Sequence, residues 1–229
     1  MRTRLLLFLV ALLPAVGLNG QAPQAPPLPP DIHPITLSRL PPITPGDLDA
    51  DGQKLLAARG NVTPAPGPGH VTIYSPKVAE GFGIVGRALG VPRGDTFRFG
   101  VRTFQLVVLI TAREIDQQYE WSAHEPAGLR AGLEQSVIDV VKFDRDVTGL
   151  AEKDAMLIRF GRGLFRDHKI SSELWAQMVK EFGRQGTVEI MELMADYFTV
   201  GFMMNAVDQH LPPDRKALLP PLPPLTRAR

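Results

Sequence analysis

Phe104-Gln105-Leu106-Val107-Val108-Leu109-Ile110, flanked by Arg102 and Arg113, is the stretch on which the fold turns. Its Val and Ile content suits a strand. The polar run that follows, Arg113 to Gln118, continues without a turn residue, so the segment reads as a helix. With this segment helical, no alternating two-residue pattern elsewhere is long enough to build a sheet, and the fold class is all-α.

The same punctuation extends outward. Thr44-Pro45 and Ser75-Pro76 each place a capping side chain before a first-turn proline, and Gly60 and Gly90 stand where those helices would end. Val78, Phe82, Val85 and Leu89 recur at helical spacing. Helices are expected at 118–131, 134–143, 151–167, 172–183 and 187–209, separated by Gly132, Gly149, Ser171-Ser172 and Gly186. The stretch Leu193 to Val207 is apolar nearly all round, with Asp196, Thr199 and Asn205 its polar side chains. Such a helix needs cover from its own domain or from another subunit, so a homo-oligomer is expected.

At the start, Arg2 and Arg4 precede an apolar run from Leu5 to Leu13, then Pro14, Ala15 and Gly17. This is the pattern of a secretory signal peptide, assigned to 1–20, and the run is too short to span a membrane. The chain is therefore expected to be exported, periplasmic or secreted. Prolines crowd 21–45, which reads as an extended arm, most simply a linker, with packing of Ile35, Leu37 and Leu40 across a neighbour as the other reading. The proline-rich tail 213–229 reads the same way. Between them 46–212 supplies roughly 165 residues, enough for one core.

The chain carries 25 basic and 24 acidic residues, and the leader holds two of the basic ones and none of the acidic. That balance offers no electrostatic footprint for nucleic acid or an anionic membrane. With no cysteine, disulfides, thiolate ligands and thiol redox chemistry are excluded. Gly81-Phe82-Gly83-Ile84-Val85-Gly86 matches a dinucleotide fingerprint, yet it falls inside a helix already begun at Ser75-Pro76, so close helix packing explains it better. Asn61-Val62-Thr63 is a formal glycosylation acceptor.

Chemistry concentrates in Gln118-Tyr119-Glu120-Trp121-Ser122-Ala123-His124-Glu125-Pro126. Glu120 and His124, four apart, stack on one helix face. A carboxylate beside an imidazole stabilises the imidazolium and fixes its tautomer, giving a general acid or base near neutral pH. An exposed pair contributing only a little helix stability would share that spacing. Pro126 leaves a carbonyl near Ser122 without its helical partner. His70 sits on an expected loop after Gly67-Pro68-Gly69, able to approach a pocket. No two histidines show helical ligand spacing, so no metal is expected. Tyr197 and Asn205, two turns apart, either line a cavity or satisfy the core, and the core is the better reading.

Tyr119-Glu120-Trp121, His124 and Gly132-Leu133 resemble the carboxymuconolactone decarboxylase family, within the alkylhydroperoxidase-D-like superfamily. The resemblance spans about Leu40 to Pro213, with Tyr74-Ser75-Pro76, Ala112-Arg113-Glu114, Phe182-Gly183 and Tyr197 also matching. It implies an alkylhydroperoxidase-D-like helical bundle that assembles as a homo-oligomer, commonly a trimer or hexamer. In the redox branch a Cys-x-x-Cys precedes the histidine; its cysteines fall on Gln117 and Glu120, so this chain cannot run thiol-dependent peroxide reduction. The decarboxylase-like branch carries Glu and His as here, and usually a glutamate where this chain has Gln105. The resemblance implies a cofactor-free decarboxylation of a small carboxylated lactone, to which we assign His124 as proton donor and Glu120 as its orienting partner; Arg113 is a carboxylate anchor or a solvated helix-face arginine, Gln105 contacts substrate or marks a chain that lost the parent activity, and Tyr197 is a candidate substrate contact. The competing expectation is a non-catalytic helical oligomer that binds a small apolar ligand or a partner protein. A deep pocket holding Glu120 and His124 favours the enzyme, and solvent exposure of the pair favours the binder.

Overall fold

The computed structural model of the chain describes residues 27–58, 60, 64–91 and 93–222. The expected signal peptide and the Asn61-Val62-Thr63 acceptor lie outside them. All regular structure among the described residues is helical, apart from one isolated bridge between His33 and Ser38.

The stretch that decided the fold lies in α4 (Gly100–Glu114), and every residue from Thr103 to Arg113 is buried. A helix buried on all sides must be covered by other helices. Four supply the cover: α5 (Gln118–Arg130), α6 (Gln135–Lys142), α7 (Glu152–Arg162) and α8 (Ser172–Ala206) all pack on α4. Burial of side chains such as Phe104, Leu106, Leu109 and Ile110 stabilises by roughly 1.5–3 kcal/mol each, which overrides the strand propensity of Val and Ile.

Before this bundle come α1 (Ala50–Ala58), the short α2 (Pro68–Thr72) and α3 (Pro76–Leu89). Thr44 opens a 3-10 turn at Pro45–Asp47, where its backbone N–H and hydroxyl both reach the Asp47 carboxylate, at 2.7 and 2.8 Å. Gly90, at φ 77°, ends α3 where the sequence places its stop. The Gly81–Gly86 motif lies inside α3, and Gly86 packs close to Val91 while Gly81 faces open space.

Several details differ from the sequence reading. The helix expected from Thr44-Pro45 is only a 3-10 turn there and α1 begins at Ala50, and the Ser75 side chain does not cap α3. α7 stops at Arg162 and continues to Asp167 only as a π-helical turn. The break in the last helix falls at Gly183, whose φ of 69° and ψ of 168° only glycine adopts readily, and not at Gly186. Gly186 remains helical, with the Phe99 ring occupying the space a side chain would take.

Neither arm nor tail is detached, and the arm is not extended as the sequence reading has it: from Pro30 to Leu40 it folds into turns closed by the His33–Ser38 bridge, with Leu37 at φ 56°. Leu37 is buried, and the arm pairs with the end of α8 through Arg39 N–H to the Val207 carbonyl (2.8 Å) and His210 N–H to the Leu37 carbonyl (2.7 Å). Leu40 packs near Val71, Tyr119 and Met204, whereas Ile35 is exposed. The tail lies along α5: Leu219 N–H donates to Gln118 Oε1 (2.8 Å), Leu218 N–H to Ser122 Oγ (3.3 Å), and both leucines pack on the core. The α8 surface is only partly covered, since Phe198 and Phe202 are exposed and form a row with Phe165.

Candidate active site

α5 brings Glu120 and His124 together because its first turn is pinned. The Gln117 side chain accepts the Tyr119 N–H at 2.6 Å and donates to Asn205 Oδ1 at 2.7 Å, while Asn205 donates to the Ile115 carbonyl. This cap satisfies an N–H that the helix itself leaves free. One turn on, Glu120 Oε2 lies 3.3 Å from His124 Nε2, and the two residues are only 5% and 7% exposed. The helix runs through Pro126 to Arg130.

The other edge of the His124 ring meets α4. His124 Nδ1 is 2.7 Å from Gln105 Oε1, and the Gln105 amide donates to the Arg93 carbonyl at 3.4 Å. The Tyr197 ring stands edge-on to the imidazole at 5.1 Å between centroids, with Phe104 against both. Burial, reinforced by the charges of Glu120 and Asp196, holds the Tyr197 phenol well above its usual pKa, so it stays protonated and cannot serve as a base. Three of the residues singled out in the sequence, Gln105, Glu120 and Tyr197, thus surround the fourth, His124.

His124 and Gln105 line a cleft of about 460 Å³. Its other walls include Val101, Ala123 and Ala127, and two arginines, Arg93 and Arg130, border it. Arg93 is exposed and pairs at 3.4 Å with Asp95. The cleft therefore joins a proton-carrying group to cationic groups suited to an anion.

Arg113 does not join this site. Its buried guanidinium donates to the carbonyls of Pro220 (2.8 Å) and Lys142 (3.3 Å) and pairs with Asp116, and burial pulls its pKa below the usual arginine value. It ties the tail to the end of α4 and lies away from the cleft that His124 lines. His70 is on α2 rather than in a loop, fully buried, with Nε2 3.1 Å from the Leu40 carbonyl. Asn205 serves the α5 cap.

Sequence reasoning missed four residues. Arg93 and Arg130 carried no spacing signal. Glu125, within the motif, is buried against Lys142 Nζ at 2.9 Å and the Trp121 indole N–H, fastening α5 to α6. Asp196 on α8 is 7% exposed, and its carboxyl is pushed up to about 6, chiefly by burial and then by Glu192 and Glu120. Among the described residues no three His, Asp or Glu side chains gather as a metal site.

No known protein-family profile matches the chain, and no curated protein matches its sequence. Among solved structures, the alkylhydroperoxidase AhpD core of an uncharacterized peroxidase-related protein from Ralstonia eutropha JMP134 is similar, with a TM-score of 0.58 and 16% identity, over 79% of this chain and 94% of that one. The likeness establishes an alkylhydroperoxidase-D-like helical fold.

Proposed function

We propose that this chain is a carboxymuconolactone decarboxylase-like, cofactor-free carboxy-lyase that acts on a small carboxylated lactone outside the cytoplasm. The observation that carries the reading is the buried Glu120–His124 pair, whose imidazole lines a cleft bordered by Arg93 and Arg130. The peroxidase chemistry in the neighbour's description does not transfer in its thiol form, because the chain has no cysteine.

The residues divide the work by their chemistry. Arg93 or Arg130 holds a substrate carboxylate at the cleft mouth. Loss of carbon dioxide leaves an electron pair that delocalises onto the lactone carbonyl, and His124 protonates the carbon. Glu120 holds the ring and stabilises its cationic form. Tyr197 and Phe104 fix the plane of the imidazole and exclude water around it. Self-association through the uncovered row of Phe165, Phe198 and Phe202 belongs to the same proposal.

Carbon dioxide release from a panel of carboxylated lactones and β-keto acids tests it. Release by the chain without its leader is expected. A panel that yields none overturns the reading and favours a binding role for the cleft.

A further inference from the structure

We propose that Gln105 fixes a proton on Nδ1 of His124 and thereby lodges a second, transferable proton between Nε2 and Glu120, so that the site rests as an acid. Gln105 acts here as a positioning residue. The placement of the protons rests on the Gln105–His124 hydrogen bond and on the 3.3 Å contact between His124 Nε2 and Glu120; its use in catalysis rests on the decarboxylase reading.

The argument begins with the amide. Gln105 is 2% exposed, and its two polar ends face different partners: NH2 toward the Arg93 carbonyl at 3.4 Å, oxygen toward His124 Nδ1 at 2.7 Å. Turning the amide over would set two carbonyl oxygens against each other, so the oxygen belongs toward the ring. A carbonyl oxygen only accepts. His124 Nδ1 must therefore carry hydrogen and donate it.

A neutral imidazole has one N–H. If Nδ1 holds it, Nε2 presents a lone pair to Glu120 Oε2 at 3.3 Å, and an ionised carboxylate also only accepts. Both residues are more than nine-tenths buried, so two facing acceptors would stand largely withdrawn from water. One further proton removes the conflict, either on Nε2 as an imidazolium–carboxylate pair or on Glu120 beside a neutral ring. Each arrangement stores one proton at the position that faces Glu120.

The surrounding charges divide. On α8, the charge of Asp196 acts on Glu120 and favours retention of the proton, while the un-ionised Tyr197 stands against the His124 ring. Arg93 on the preceding loop and Arg130 on α5 border the cleft and favour its release. A bound substrate carboxylate would neutralise that cationic side and retain the proton until the carbon is ready to accept it.

In the reaction, the C–COO⁻ bond breaks and its electron pair moves onto the lactone carbonyl. The new C–H bond forms with the proton from Nε2, whose N–H electron pair stays on the ring. His124 is left neutral with Nδ1 still bonded to Gln105, Glu120 is a carboxylate, and water restores the proton. Each carbon dioxide released consumes one proton, and the resting site is unsuited to proton abstraction.

Two-bond ¹H–¹⁵N spectra of the full chain labelled at histidine read the tautomer directly. The His124 signals are those lost in His124→Asn, with the other histidines as internal references. Wild type is expected to show Nδ1 protonated throughout the folded pH range. In Gln105→Leu the neutral ring should switch to the Nε2–H form and donate to Glu120. In Gln105→Glu the Nδ1–H remains, and the added carboxylate keeps the imidazolium to a pH about one unit higher or more. A wild-type ring bare at Nδ1 and protonated at Nε2 near neutral pH overturns the proposal, as does a Gln105→Leu spectrum unchanged from wild type. If Gln105→Leu does not fold, the wild-type tautomer and the Gln105→Glu titration decide. The expected tautomer without carbon dioxide release would remove the decarboxylase reading and leave the proton placement standing.

Discussion

Gln117 Nε2 donates to Asn205 Oδ1 across 2.7 Å and so joins the first turn of α5 to the last turns of α8. The same side chain caps α5, which places Glu120 and His124. Replacing Gln117 with alanine removes the cap, while water reaches the exposed Asn205 amide in its place. We expect a loss of roughly 0.5–2 kcal/mol, read as a lower urea midpoint with unchanged slope.

Arg113 and Arg130 separate a strut from a proposed substrate contact. Arg113→Ala leaves the Pro220 and Lys142 carbonyls without their donor and should cost roughly 1–3 kcal/mol, while folded protein keeps its KM. Arg130→Ala should leave the unfolding midpoint within about 0.5 kcal/mol of wild type and raise KM for carboxylated substrates. Thermal unfolding and steady-state kinetics on both variants check the pair.

Asp196 makes stability depend on pH in a defined direction. Its folded pKa of about 6 lies above the usual carboxylate value, so between pH 4 and 6 the folded state binds more protons than the unfolded chain. Stability from this group is therefore full at low pH and falls as pH rises through about 6, by on the order of 2 kcal/mol. Asp196→Asn should be more stable than wild type at pH 7.5, and the gain should vanish by about pH 4. Urea titrations at the two pH values measure it.

Phe198 and Phe202 stack 6.1 Å apart and are exposed among the described residues. If a second copy covers them, Phe198→Ser with Phe202→Ser should shift sedimentation toward the monomer without lowering helix content. A wild-type chain already monomeric at micromolar concentration would contradict self-association through this face.

The helical fold was legible because its signals are local. Val and Ile of α4 misdirect toward a strand only until the turnless run after Arg113 is read with them. The Glu120–His124 pair was legible for the same reason: four-residue spacing on a helix is a statement about neighbours. What escaped depends on distant chain. Gly183 and Gly186 look alike in sequence, and only the Phe99 ring against Gly186 decides which one breaks the helix. Arg113 finds backbone carbonyls of Lys142 and Pro220, which leave no trace in residue type. Proline content excluded regular helix in the arm and tail but showed neither the turns of 30–40 nor the docking, which comes from Leu37, Leu218 and Leu219. Arg93, before α4, and Arg130, on α5, line one cleft although they stand far apart in the sequence.

The most direct measurement is decarboxylation in heavy water by wild type and His124→Ala, following both carbon dioxide and the isotope content of the product. The expected result is one deuterium at the carbon that lost its carboxylate, with release slowed about 10²- to 10⁴-fold in the variant. Release that is unchanged without His124, or none from any carboxylated lactone or β-keto acid, would contradict a decarboxylase that draws its proton from the Glu120–His124 pair.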